Sequence, residues 1–133
     1  MSVDAESIVT NVRDVLLDIA KGMNFNPVRD IDYALKYKSD SKGRSLEFRI
    51  DYVFKHEKAK ERYKCVDYTT KVSDTKVRIM ASHHIVKDRF LVKLHVESKI
   101  SESGLDENIL NAIKRDWKAV LTLLAVSYTH LTL

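Results

Sequence analysis

Residues 46–54, LEFRIDYVF, decide the fold of this chain, because apolar side chains alternate there with mostly ionic ones. The apolar positions are Leu46, Phe48, Ile50, Tyr52 and Phe54. Successive side chains of a β-strand point to opposite faces of a sheet. The stretch therefore predicts a strand that has one face in the core and one face toward water.

The same period of two recurs on both sides of this stretch. It predicts an antiparallel sheet of about five strands, connected as a meander. The strands are expected near residues 31–37, 46–54, 63–72, 77–85 and 90–96. Residues 24–29, which contain the only proline, are predicted to be a connector.

Helical spacing of apolar residues replaces this alternation at both ends of the chain. It predicts an N-terminal helix over residues 4–21 and a long C-terminal amphipathic helix that begins near Ser103. The second helix carries the largest apolar stripe, and its Trp117 is expected to be core. Because one sheet face is apolar along every strand, both helices are predicted to cover that face, which gives an α+β fold.

The composition is that of a folded globular protein. With 44% hydrophobic and 32% charged residues, the 133-residue chain is too apolar for a disordered protein and too charged for a membrane protein. Cys65 is the single cysteine, which excludes a disulfide within the chain and favours a reducing, cytoplasmic location. Residues 1–6 lack the pattern of a secretory leader, and no apolar run reaches the ~20 residues that cross a bilayer.

The last eight residues differ from the rest of the chain. Residues 126–133, VSYTHLTL, look like the in-frame translation of a transposon-end sequencing adapter. We therefore expect residues 1–125 to form a single α+β domain, residues 126–133 to be no part of the native structure, and the natural chain to continue beyond the truncated one.

Charge is distributed unevenly and points to a possible function. Residues 36–99 hold 17 Lys/Arg and 9 Asp/Glu, a net +8, whereas the remainder holds 6 and 10, a net −4. The predicted strand phases place seven basic residues on the sheet face away from the helices: Lys36, Arg49, Lys55, Lys71, Lys76, Arg78 and Lys93. Such a face suits a polyanion, either nucleic acid or an acidic protein, with Tyr63 available for base stacking.

Two further readings of this face remain open. Glu47, Asp51, Asp67 and Glu97 lie among the basic residues, so the pattern also fits a solvated face with cross-strand ion pairs. Val53, Met80 and Leu91 are predicted to point outward as well, which indicates cover by a partner or by a second copy of the chain in a homo-oligomer. Our leading hypothesis is a non-catalytic binding module with a basic sheet face for an acidic partner.

A second hypothesis is enzymatic. Asp51 and the stretch VDYTTK at residues 66–71 resemble the metal-dependent nucleases known by the PD-(D/E)xK signature. The resemblance implies that Asp51 and Asp67 hold Mg²⁺ and that Lys71 activates water. Thr69 stands where the family has its lysine, and Lys71 follows two residues later on the same strand face. The alternative for both acids is pairing with Arg49 and Lys71 across strands.

Histidine and cysteine give no strong site, and no cofactor or metal is predicted. His83 and His84 are adjacent and so face opposite sides of a strand, while His84 and His95 are expected on the outer face with Cys65 and Asp67. Their spacing matches no established zinc pattern. A third functional hypothesis comes from the architecture: a sheet that holds a long helix can form a chaperone-like grip for an apolar ligand or an unfolded client.

Overall fold

The computed structural model describes residues 4–56, 65–84 and 88–125, and it confirms the α+β fold class. Its two helices and six strands are listed in chain order: α1 (Ala5–Gly22), β1 (Phe25–Pro27), β2 (Asp32–Asp40), β3 (Gly43–His56), β4 (Cys65–Val72), β5 (Thr75–His84), β6 (Arg89–Ile100) and α2 (Glu107–Ala125). Tyr63, Ile85 and residues 126–133 lie outside the described residues. No described helix is long and apolar enough to cross a membrane.

The strands form one antiparallel sheet in the order β1-β3-β6-β5-β4, and β2 also pairs with β3. This order differs from a sequential meander, because β3 lies beside β6 rather than beside β4. The reason is burial: β3 and β6 carry the most apolar inward faces, so they take the centre. β4 has Tyr68 and Thr70 on the same face and takes the edge, where Tyr68 is 42% exposed.

The predicted connector contains a short strand, β1, which the alternation did not indicate. Phe25 is fully buried and meets Phe54 and Phe90 edge to face, with ring centroids 5.9 Å and 5.3 Å apart. Its backbone pairs with the end of β3, where Phe25 lies opposite His56. Backbone pairing with β3 and one buried aromatic ring therefore hold this segment against the sheet.

The strand faces are those that the alternation predicts. The five apolar residues of 46–54 at even positions are all 1% exposed or less. β6 buries Phe90, Val92, Leu94 and Val96 in the same way, and β5 buries Val77, Ile79 and Ala81. Val9, Val12, Leu16 and Ala20 of α1 complete the core with the apolar stripe of α2. In the part of the chain that the structure describes, no helix covers the other face of the sheet.

Two hydrogen bonds tie α1 to its neighbours in the core. The indole Nε1 of Trp117 donates to the Leu16 carbonyl at 2.9 Å, and the hydroxyl of Tyr52 donates to the Arg13 carbonyl at 3.0 Å. The rings of Tyr52 and Trp117 lie 4.8 Å apart. A buried aromatic pair whose polar atoms are both satisfied thus joins β3, α1 and α2 at one point.

We expect Trp117→Phe to lower the free energy of unfolding by about 2–3 kcal/mol, because it leaves a void and removes the hydrogen bond to Leu16. Urea unfolding followed by circular dichroism measures this change. Lys118→Ala, at the exposed neighbouring position of α2, is the control and should stay within about 0.5 kcal/mol of the wild type. Equal losses in the two variants would contradict the assignment of Trp117 as the anchor of α2.

Burial raises the pKa of the Tyr52 phenol above its ordinary value. A group whose pKa is higher in the folded state binds its proton more tightly there, so its contribution is complete below the unfolded pKa of about 10 and is lost as the pH rises above it. We therefore expect the unfolding free energy of the wild type to fall above about pH 10 more steeply than that of Tyr52→Phe, by up to about 1.4 kcal/mol per pH unit.

Urea unfolding at a series of pH values above about 10 gives the slope of unfolding free energy against pH for the wild type and for Tyr52→Phe. The exposed Tyr37 supplies the matched control, since Tyr37→Phe removes a phenol outside the core. Its slope should follow the wild type. Parallel curves for the wild type and Tyr52→Phe would show that the buried phenol does not control alkaline stability.

Candidate functional site on the outer sheet face

The outer face is defined by the side chains of β2–β6 that point away from α1 and α2. The strand register arranges these side chains in rows across the sheet. One row reads Lys36, Glu47, Glu97, Lys76 and Lys71, because these residues are successive partners on β2, β3, β6, β5 and β4. By the same register, the structure places all seven basic residues of the predicted set on the outer face.

Two arginines of this set are engaged by carboxylates. Arg78 holds Asp67 with two hydrogen bonds, Nε to Oδ1 at 3.0 Å and Nη2 to Oδ2 at 2.7 Å. These bonds hold the pKa of Asp67 below its usual value and raise the pKa of Arg78. The Arg49 Nε atom lies 3.6 Å from Oδ2 of Asp51 on the same strand. The cross-strand ion pair of Asp67 is therefore made with Arg78.

His95 lies beside the other two outer-face carboxylates of β3–β6, those of Glu47 and Glu97. The Nε2 atom of His95 lies 3.1 Å from Oε1 of Glu47 and 3.7 Å from Oε1 of Glu97. These three residues form the one group of metal-ligand type found in the described part of the chain. The sequence prediction missed this group, because Glu47 meets His95 only through the pairing of β3 with β6. The sequence could have indicated only that His95 and Glu97 lie on the same face of one strand.

The lysines of the predicted set behave differently from the arginines. Within residues 4–56, 65–84 and 88–125, none of these lysines has a carboxylate within ion-pair distance: Lys36, Lys55, Lys71, Lys76 and Lys93. Lys71 and Lys76 even lie directly opposite each other on β4 and β5, an arrangement of like charges that destabilises a sheet unless an anion lies nearby.

The structure does not bring the nuclease candidates together. Asp51 and Asp67 share a row, but Lys93 of β6 and Met80 of β5 stand between them. Three strand spacings separate the two acids by ~14 Å. Lys71 is four residues from Asp67 along β4, which is ~13 Å. Such separations are too large for a shared Mg²⁺ ion with a lysine beside it.

The predicted outer-face histidines are also apart. His95 lies opposite Arg78, whereas His84 lies six residues farther along β5, a distance of ~20 Å in a strand. Cys65 is exposed on β4, opposite Ser82. His83 lies on the inner face as predicted, 2% exposed and stacked on Phe90 with ring centroids 4.1 Å apart. No group of His84, His95, Cys65 and Asp67 therefore exists.

An apolar depression lies on the outer face, toward the end of the sheet where β3 and β5 end and β4 and β6 begin. Its volume is about 600 Å³, and its lining includes Val53, Met80 and Leu91 together with Lys93 and Arg29. A second depression of about 370 Å³ shares Met80 and Lys93 with it and extends toward Leu35. Leu91 is 39% exposed. A large aliphatic side chain is therefore open to solvent between charged neighbours.

One polar atom in the apolar depression lacks a hydrogen-bond partner. The Oδ1 atom of Asp51 is buried and accepts no hydrogen bond among the described residues. A buried acceptor without a donor carries a desolvation cost of ~1–3 kcal/mol. A donor supplied by a bound molecule would remove this cost.

No protein-family model, no curated protein and no solved structure matches the chain. Three features of the described residues bear on function: the paired carboxylates, the lysines with no carboxylate within ion-pair distance in that part of the chain, and the apolar depression. All three lie on the outer face.

The lowered pKa of Asp67 gives a test of the outer-face ion pairs. We expect Arg78→Ala to raise the pKa of Asp67 toward the ordinary aspartate value of about 3.9, because the two hydrogen bonds from the guanidinium are lost. Titration of the side-chain carboxyl resonances by NMR measures it. Arg49→Ala is the matched control and should leave the pKa of Asp67 unchanged. An unchanged value in Arg78→Ala would refute the bidentate pair.

Proposed function

We propose that the protein is a non-catalytic binding module that takes an acidic protein segment on its outer sheet face. The observation that carries this proposal is which charged side chains of the outer face lie beside an opposite charge. Each carboxylate on the outer faces of β3–β6 has an arginine or histidine beside it, while the lysines named above have no carboxylate within ion-pair distance in the described residues. The positive charge left over is available to an acidic partner.

The apolar depression supports a partner that also carries an apolar side chain. Val53, Met80 and Leu91 line this depression together with Lys93. Burial of one leucine-sized side chain there contributes about 1.5–3 kcal/mol. A protein segment that combines acidic residues with a leucine or methionine therefore matches both the charge and the shape of this face.

The buried Oδ1 atom of Asp51 can accept a hydrogen bond from a peptide N–H of such a segment. One observation favours a protein chain over nucleic acid. The described outer-face positions of β2–β6 include no phenylalanine, tyrosine or tryptophan, so they offer no aromatic platform for bases. Tyr63, the ring named for stacking, lies outside the described residues.

The test uses a short fluorescein-labelled peptide of glutamates around one central leucine, with binding followed by fluorescence anisotropy. We expect binding that weakens as salt is added, since exposed charges are screened. Lys93→Glu should lower the affinity about tenfold or more, because it places a like charge in the lining of the depression. Leu91→Ser should lower it by about tenfold through lost apolar contact.

Matched controls separate this surface from general charge effects. Lys118→Glu makes the same charge change on the exposed side of α2 and should leave the affinity within about twofold. A peptide with serine in place of the leucine should bind less tightly. The proposal is overturned by an absence of binding at low salt, by tighter binding of single-stranded DNA, or by a dimer in sedimentation that Leu91→Ser dissociates, which would place this face between two copies of the chain.

A further inference from the structure

We propose that Glu47, His95 and Glu97 form a binding site for a divalent transition-metal ion of the zinc type. The three side chains project from the outer face of two adjacent strands, Glu47 from β3 and the others from β6. Their ligand atoms lie within 4.8 Å of one another. This inference does not rest on the proposed acidic partner, because its ligand is a metal ion and its experiment changes neither Lys93 nor Leu91.

The distances suit a common metal ion. Zinc binds imidazole nitrogen and carboxylate oxygen at about 2.1 Å, so the ligand atoms of a tetrahedral site lie ~3.4 Å apart. The two distances from Nε2 of His95, 3.1 Å to Glu47 and 3.7 Å to Glu97, lie on either side of this value. Only small side-chain movements are needed to place an ion between the three atoms.

The orientation of the two carboxylates also points to a shared cation. Glu47 and Glu97 lie directly opposite each other, where two negative charges repel. Lys36 and Lys76 are their other cross-strand neighbours, yet both glutamates approach His95 rather than these lysines. A single Nε2 atom can donate only one proton, so it cannot satisfy both carboxylates well. One metal ion at the centre would satisfy all three groups.

The donor set selects the class of metal. An imidazole nitrogen with two carboxylates suits zinc and its neighbours in the first transition row, whereas magnesium and calcium prefer oxygen ligands throughout. The side chains of Glu47 and Glu97 are 47% and 51% exposed, and His95 is 30% exposed. Solvent therefore reaches the site and can supply the remaining ligand, which leaves a position open for an exogenous carboxylate or water.

Zinc chloride, titrated into the untagged full chain against a chromophoric chelator, is the probe. We expect one zinc ion per chain. His95→Ala should weaken binding by more than about tenfold, since loss of even a supporting group of a metal site costs 10–100-fold. Glu97→Gln should weaken it as well. In NMR spectra, zinc should shift the imidazole resonances of His95 and leave those of His84 in place.

Controls keep a structural effect apart from ligation. His84→Ala removes an exposed outer-face histidine at the far end of β5 and should bind zinc like the wild type. Lys76→Gln should bind zinc more tightly, because it removes the positive charge opposite Glu97. Circular dichroism verifies that each variant is folded.

The proposal fails if zinc does not bind, or if it binds equally to the wild type and to folded His95→Ala. It also fails if His84→Ala or Cys65→Ser, rather than the glutamate variants, abolishes binding. Each of these results leaves the acidic-peptide experiment unaffected, because Lys93 and Leu91 are not among the three ligands. The two proposals can therefore stand or fall separately.

Discussion

The structure depends on the period of two in β3. This strand is hydrogen-bonded to β1, β2 and β6, so its parity fixes which face of three neighbouring strands is covered by the helices. A slip of one residue would bring Arg49 and Asp51 to the core and put Phe48 and Ile50 in water. Tyr52, on the inner face of the same strand, also contacts α1 and α2. The core, the helix positions and the outer face thus share one constraint.

The sequence was sufficient for the parts of the structure that period alone controls. The inward and outward sides of residues 46–54 were predictable, and so were the two helices and the orientation of Lys36, Lys76 or Lys93. Alternation says which face a side chain takes but nothing about which strand lies alongside. The predicted meander in chain order therefore differs from the structure, in which β3 pairs with β6. β1 was missed because it is three residues long and buries one ring, that of Phe25, which is too little to show an alternation.

The same limit explains the outcome for the site. Asp51 and Asp67 share a face, as predicted, but their separation depends on strand order, and two strands lie between them. The contact of Glu47 with His95 arises from the same strand order and could not be read from spacing. Residue type and parity placed charges on the outer face, whereas the neighbours of each charge required the sheet topology. The structure therefore added the partners of the charged residues, whereas the positions of the basic residues on the outer face were already predictable from the sequence.

The pairing of β3 with β6 has a consequence for how the chain folds. β2 is followed directly by β3 along the chain, and β4 is followed by β5 and β6. Each of these two sets can therefore assemble from residues that are near in sequence. Joining the sets requires contacts such as Arg44 opposite Ile100, which close a long loop. Non-local pairing of this kind is slow relative to hairpin formation. We therefore expect the two halves of the sheet to pair late in folding. Until they pair, the unpaired edges of β3 and β6 are the parts of the chain most prone to aggregation.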